Sequence, residues 1–212
     1  MLGDRRVKAA VRRALKAWDR RRWQGLTGKA PPADLGALRV HLADTLATIA
    51  GHPLPPAETE AVVRRFLHPA GEVERYPDTP GALERLRAAE VNVGTVTPLP
   101  ADSARWLLHR CGLPETLLVG AGDGPGPCVP ERAAFRAAAE ALGAPHERVA
   151  YVGDLFWSDV RAAARAGLPA LLLDRRDAWP KVLSGRMTTL DLLEATLGAG
   201  GSPAESEGTE AE

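Results

Sequence analysis

Apolar residues recur at helical spacing from Asp4 to about Trp23, where Val7, Val11, Leu15 and Trp18 form one stripe and arginine and lysine fill the remaining positions. The pattern predicts an amphipathic helix with a solvated basic face. After the breaker-rich "LTGKAPPAD", Leu35, Leu38, Leu42, Leu46 and Ile49 mark a second helix, with Asp34 placed as its N-cap. A third follows "GHPLPP" and carries Val62, Val63, Phe66 and Leu67. The first seventy or so residues read as an all-helical unit with proline-rich connections.

From Tyr76 the pattern changes to alternation. Asp78 or Thr79 can cap a helix with Pro80 in its first turn and Leu83 and Leu86 facing inward, and "VNVGTVT" is a β-rich run. Helix Ala101 to Cys111, strand Thr116 to Gly120, helix Glu131 to Leu142, strand Val149 to Val152, helix Asp159 to Ala166 and strand Ala170 to Leu173 follow in turn. Strands alternating with helices of about ten residues imply right-handed β-α-β units and a parallel sheet, hence an open α/β core. A last helix spans about Leu190 to Leu197. The tail "GAGGSPAESEGTEAE" has no large apolar residue to anchor it and is expected to be disordered. The expected organisation is a helical region over residues 1–75, an α/β core over 76–197 and a tail over 198–212.

At 212 residues the chain can hold one large domain or a core with a smaller accessory domain. Its 27 Lys and Arg balance 27 Asp and Glu, which points away from a nucleic-acid partner. No run of apolar residues is long enough to span a bilayer, so no membrane partner is expected. The basic N-terminus lacks the apolar core and cleavage site of a secretory signal, which implies a cytoplasmic protein. Cys111 and Cys128 stand apart with no C-x-x-C and no clustered histidines, so both are read as reduced and structural.

The candidate chemistry centres on "VAYVGDLFWSDVRAAARAG", residues 149–167, where a buried strand runs into a loop holding Asp154 and Asp159. Ligands of open parallel sheets bind beyond the carboxyl ends of strands, and two carboxylates there can share a hard cation such as Mg²⁺. The same spacing also suits a strand-ending Asp154 and an Asp159 that merely caps the next helix. Thr97, at the end of "GTVT", can hydrogen-bond a phosphoryl oxygen or serve as ordinary strand-end chemistry. "GAGDGPGP" has Pro125 where a dinucleotide fingerprint needs its third glycine, and reads as a loop. Trp157 is placed to cover the acidic loop or to pack beneath the helical region. His109 and His146 are isolated surface or helix-end residues, and Asp174 ends the last strand with a loop hydrogen bond.

Taken together, "YPDTPGALERLRAAEVNVGTVT" and "CVPERAAFRAAAEALGAPHERVAYVGDLFWSDVRAAARAGLPALLLDR" resemble the Rossmann-like core of the haloacid dehalogenase (HAD) superfamily. The resemblance runs from about Tyr76 to Arg175, with G-D-x-x-x-x-D and an alanine-rich helix ending A-G-L as its most specific part. It implies an α/β, HAD-like Rossmannoid parallel sheet core with an N-terminal all-helical cap. It also implies Mg²⁺-dependent hydrolysis of a small phosphorylated metabolite, with Asp154 and Asp159 on the metal and Thr97 on the phosphate.

Two of the family's four motifs are unmatched. Val129 stands at the place of the usual cationic lysine, with Arg132 three residues on as a stand-in. No D-x-D-x-T nucleophile motif precedes the cap; Asp44 and Thr45 in "HLADTLATIAG" imitate it but lie on a helical stripe without the second carboxylate or the glycine. Either the start is assigned too late, or the chain is a degenerate relative that binds a ligand or partner without hydrolysis. A dehalogenase would need the same nucleophile. In the family the strand bearing it lies between those matched here by Val91–Thr97 and Val149–Val152. The expectation is therefore that these two pair directly or that another segment fills the gap.

Overall fold

A computed structural model describes residues 4–30, 35–67, 73–120, 132–182 and 184–198. The chain divides into two compact units, residues 1–73 and 74–212. The first holds α1 (Asp4–Leu26), α2 (Leu35–Ala50) and α3 (Pro56–Leu67), with α1 packed on α2 and α2 on α3. Trp18 of α1 stacks on the His41 ring of α2 at 5.4 Å between centroids and 28° between planes. Burial holds the His41 imidazole below its ordinary 6.5, with the Ala14 backbone acting in the opposite sense.

The second unit alternates as expected. It contains α4 (Thr79–Ala88), β1 (Thr95–Val96), α5 (Ala101–Arg110), β2 (Leu118–Gly120), α6 (Arg132–Ala141), β3 (Tyr151–Gly153), α7 (Ala162–Arg165), β4 (Ala170–Leu173), β5 (Arg186–Met187) and α8 (Leu193–Gly198). Every strand pair is parallel: β1 with β2, β3 with β4 and β4 with β5. Parallel neighbours need long crossover connections, and α5 lies in the one between β1 and β2 and α7 in the one between β3 and β4. Ala170, Leu171 and Leu172 of the central β4 are buried, which explains why this strand reads as an unbroken apolar run. Leu171, Met187 and Leu193 form a core cluster, with Leu86, Val152, Leu173 and Leu190 packed around it. The α/β class with parallel sheets is the one the alternation implies.

The strands form two sheets, β1-β2 and β3-β4-β5. Among the described residues, β1 and β3 do not pair with each other, so the direct pairing expected of them is not seen. Instead α6 spans both sheets. It packs on β1, β2 and α7, and its buried Phe135 sets its ring edge-on to Tyr151 of β3 at 4.9 Å.

The strands are shorter than their apolar runs because the flanking residues close helices and turns. Val91 donates to the Leu86 carbonyl and Glu90 to the Arg87 carbonyl, ending α4 in a Schellman motif, so pairing starts only at Thr95. Glu115–Leu117 and His146–Arg148 each form a 3₁₀ turn, which delays β2 to Leu118 and β3 to Tyr151. The two-residue β5 has no periodic signal, and the last helix begins as a 3₁₀ turn, Leu190–Leu192, capped by the Thr189 hydroxyl.

Asp78 does not cap α4 with its side chain. Its carboxylate takes two hydrogen bonds from the Arg175 guanidinium, at 2.7 and 2.9 Å, and others from the Thr189 hydroxyl and the Leu190 amide, each at 2.8 Å. The Arg175 guanidinium also lies over the Tyr76 ring, 4.0 Å from its centroid. Asp174, fully inside, accepts from the Ala178 amide at 2.7 Å, the Trp179 amide at 2.8 Å and Arg186 Nε at 2.9 Å, the loop bonding its place at the strand end suggests. The tail from residue 199, Cys128 and most of "GAGDGPGP" lie outside the described residues.

The Asp78 bonds predict a specific acid sensitivity. Arg175, then the Leu190 amide and Thr189, hold the folded carboxyl far below its ordinary 3.8, with desolvation opposing. A depressed carboxyl stabilises the fold fully above its unfolded value and loses that contribution as pH falls towards the folded one. The stability gap between wild type and Asp78→Asn, measured by urea unfolding, is therefore expected to be flat above about pH 5 and to shrink below about pH 4. Asp78→Ala, which strands a mostly buried guanidinium, is expected to cost about 2–4 kcal/mol. Conversely Glu90, held at φ 56°, sits where a helix end favours glycine. Glu90→Gly is expected to raise stability by about 0.5–1 kcal/mol in the same measurement.

Candidate functional site

The chain leaves β3 through Gly153 into Asp154 and Leu155 and then enters a π-helical turn, Phe156–Arg161, that continues as α7. The Leu155 carbonyl accepts from both the Asp159 and the Val160 amides, each at 3.1 Å, and the second is the i→i+5 bond that defines a π turn. Such turns add a residue to a helix and are frequent at functional sites. Small residues let the turn lie close to the sheet: Ser158, Ala162 and Ala163 are buried along with Val160.

The two carboxylates have different surroundings. Asp159 is buried and its Oδ2 accepts from the Leu155 amide at 3.2 Å, so it reaches back to pin the start of its own turn. It does not begin α7, whose N-cap is Arg161. Asp154 is exposed at the strand end. Gly153 is what allows this packing: a Cβ there would lie 2.6 Å from Asp159 Cβ, 2.8 Å from Tyr151 Cε1 and 3.0 Å from Asp159 Oδ2. The requirement is carried by the glycine of the G-D pair, and the sequence reading singled out only its aspartate.

Oxygen donors suit Mg²⁺, which usually keeps several waters and takes one or two protein carboxylates. Asp154 and Asp159 fit that role in donor type and number. No cluster of three or more His, Cys, Asp or Glu that could hold a metal occurs among the described residues.

Thr97 follows β1 in the other sheet. Its amide donates to the Gly120 carbonyl at 3.1 Å, and its Oγ1 accepts from the Leu99 amide at 3.2 Å, so that among the described residues the hydroxyl hydrogen has no acceptor. Arg132 is the first residue of α6 and is exposed, with no ion pair among the described residues. Val129 lies outside them. Asp44 sits inside α2, where its carbonyl accepts from the Thr48 hydroxyl at 2.8 Å, as its helical spacing implied.

Trp157 is half-buried in the π turn, with Phe156 edge-on at 5.2 Å and the Arg161 guanidinium 5.3 Å from its ring centroid. His109 is exposed in the last turn of α5 and His146 opens a 3₁₀ turn. Cys111 is a free thiol. No helix of the described residues is long and apolar enough to cross a membrane.

Four similarities accompany this geometry. The profile of the haloacid dehalogenase-like hydrolases matches residues 6–167. A phosphoglycolate phosphatase of Rhodospirillum rubrum is 31% identical over 147 residues, 69% of this chain and 54% of that protein, so the match spans about half the relative's length. Among solved structures, a predicted phosphoglycolate phosphatase from Haemophilus somnus 129pt superposes with a TM-score of 0.57 at 19% identity, covering 91% of each chain. The L-2-haloacid dehalogenase RSc1362 superposes with a TM-score of 0.60 at 15% identity, covering 93% of this chain and 94% of its own. At those identities the two structures speak to the fold.

Gly153→Ala tests the packing beneath the carboxylates. The clash is with Asp159 Cβ, close to the backbone and unable to swing away. The substitution is expected to cost about 1–3 kcal/mol in urea unfolding.

Proposed function

The chain belongs to the haloacid dehalogenase-like hydrolases, and from that premise we propose that it binds a small phosphorylated ligand together with Mg²⁺ at the carboxyl ends of β1 and β3, without hydrolysing it. Asp154 and Asp159 would hold the metal, Thr97 would donate its hydroxyl to a phosphoryl oxygen, and Arg132 would supply the positive charge that Val129 cannot. Mg²⁺, when bound, would neutralise phosphoryl charge. The helical unit would act as the cap that selects the ligand.

The observation that carries the reading is the contrast at the π turn: a buried Asp159 fixed by the Leu155 amide, five residues from an exposed Asp154. One carboxylate is preorganised while the other stays accessible, an arrangement suited to holding a hydrated cation. The names of the phosphoglycolate phosphatase relatives support a small phosphorylated ligand. The absence of turnover by this 212-residue chain is supported by its residues, which include no D-x-D pair that could form and release an aspartyl phosphate.

Calorimetric titration of the 212-residue chain with MgCl₂, alone and with phosphoglycolate, tests the assignment. Binding is expected for wild type and is expected to weaken at least tenfold in Asp154→Asn and in Asp159→Asn; unchanged binding in both variants would remove these residues from the site. Hydrolysis of p-nitrophenyl phosphate is expected to stay at background. Turnover abolished by Asp154→Asn would show a working hydrolase.

A further inference from the structure

The neutral chain is strongly asymmetric once divided at its unit boundary. Residues 1–73 hold 13 Arg and Lys against 7 Asp and Glu, and residues 74–212 hold 14 against 20. Whole-chain neutrality, which pointed away from a nucleic-acid partner, conceals this division, and charge asymmetry of that kind is a mark of polyanion binding. Most of the excess lies on α1, whose 23 residues include nine Arg and Lys and only two Asp. One of those two, Asp19, is fully buried.

The cations are ordered. At 100° per residue, Arg5, Arg12, Arg13, Lys16 and Arg20 fall within about 100° of the helix circumference and over about 22 Å of its length. Arg5, Arg13, Lys16 and Arg20 are exposed and Arg12 is half-exposed. None of the five is ion-paired among the described residues. Arg12, Lys16 and Arg20 follow one another at i, i+4 spacing, where like charges repel and weaken a helix. A solvated helix face ordinarily relieves this with interspersed glutamates, and α1 contains none.

The opposite side of α1 is already occupied. It packs on α2, with Trp18 against His41, so α1 has no free apolar stripe to insert into a bilayer. What remains is a stripe of mostly guanidinium groups, which pair with phosphate oxygens in a two-pronged geometry. A nucleic-acid duplex carries about one phosphate charge per 1.7 Å of axis, a dense negative surface complementary to the stripe.

We propose that the basic stripe of α1 is a docking surface for the phosphate backbone of a nucleic-acid duplex, bound without regard to sequence. Five phosphate contacts give an expected slope of about −4.5 for log K against log salt concentration. The test is fluorescence anisotropy of a labelled 20-base-pair DNA duplex with the full chain between 20 and 200 mM NaCl.

The variant Arg12→Gln/Lys16→Gln/Arg20→Gln is expected to bind at least tenfold more weakly at 20 mM salt, with the slope reduced in magnitude by about 2 to 3. Glutamine matches these residues in helix propensity, and circular dichroism checks the fold. Should the triple variant unfold, Arg5→Gln/Arg13→Gln and Lys16→Gln/Arg20→Gln are each expected to reduce the slope by about 2. Arg148→Gln/Lys181→Gln, on the second unit, is expected to change nothing. The proposal is overturned if wild type fails to bind DNA at 20 mM salt, if folded stripe variants keep its affinity and slope, or if vesicles of 30% phosphatidylserine bind wild type and DNA does not.

Discussion

The adjacent Asp174 and Arg175, at the end of β4, tie together segments that are far apart in sequence. Asp174 is inside and gathers the Ala178 and Trp179 amides and the Arg186 side chain, which fixes the following loop and the short β5. Arg175 turns to Asp78, a hundred residues earlier, where the second unit begins its first helix. Asp78 also accepts from Thr189 and the Leu190 amide, so the entry to α4 and the turn before α8 close on the same carboxylate. Charges removed from water are costly unless fully bonded. Here each carboxylate has at least three donors and each guanidinium at least one carboxylate, so the ends of β4, α4 and β5 hold one another in place.

Much of this architecture was legible in the sequence because it depends on period. Helical stripes in the first unit and strand-helix alternation in the second follow from where apolar residues must point, and the unbroken Ala170–Leu173 run announced a strand buried on both faces. Edges were less legible. Val91, Val149 and the residues before Leu118 are apolar enough to be strand but are used to close turns, since helix ends and 3₁₀ turns need backbone donors whatever the side chain. The Asp78 bonds were unreadable for another reason: a cap residue and a long-range ion-pair acceptor are the same amino acid, and only the fold decides which partner arrives. At the acidic loop, the carboxylate pair was legible from G-D-x-x-x-x-D, whereas the different burial of its members was not.

The division into two sheets shows how a parallel fold holds together when its strands do not form a continuous ladder. Among the described residues, strand hydrogen bonds stop at β1 and at β3, but packing does not. Phe135 and the small faces of Ala134 and Ala139 bring α6 down over both halves, and the aromatic contact with Tyr151 crosses where no backbone bond does. Backbone pairing and side-chain burial, usually inseparable in a sheet, are here carried by different elements.

The π turn explains why the two carboxylates stand five residues apart rather than four. In an ordinary helix each added residue rotates the next side chain by about 100°, and a π turn absorbs one residue without passing that rotation on. Removing a single residue between Leu155 and Arg161 would replace the i→i+5 bond from the Val160 amide to the Leu155 carbonyl by a regular helical one and rotate the side chains on one flank by about 100° relative to the other. The loop therefore measures length: its chemistry depends on the number of residues in it as strictly as on their identity, and an insertion or deletion there would be felt as a change of direction.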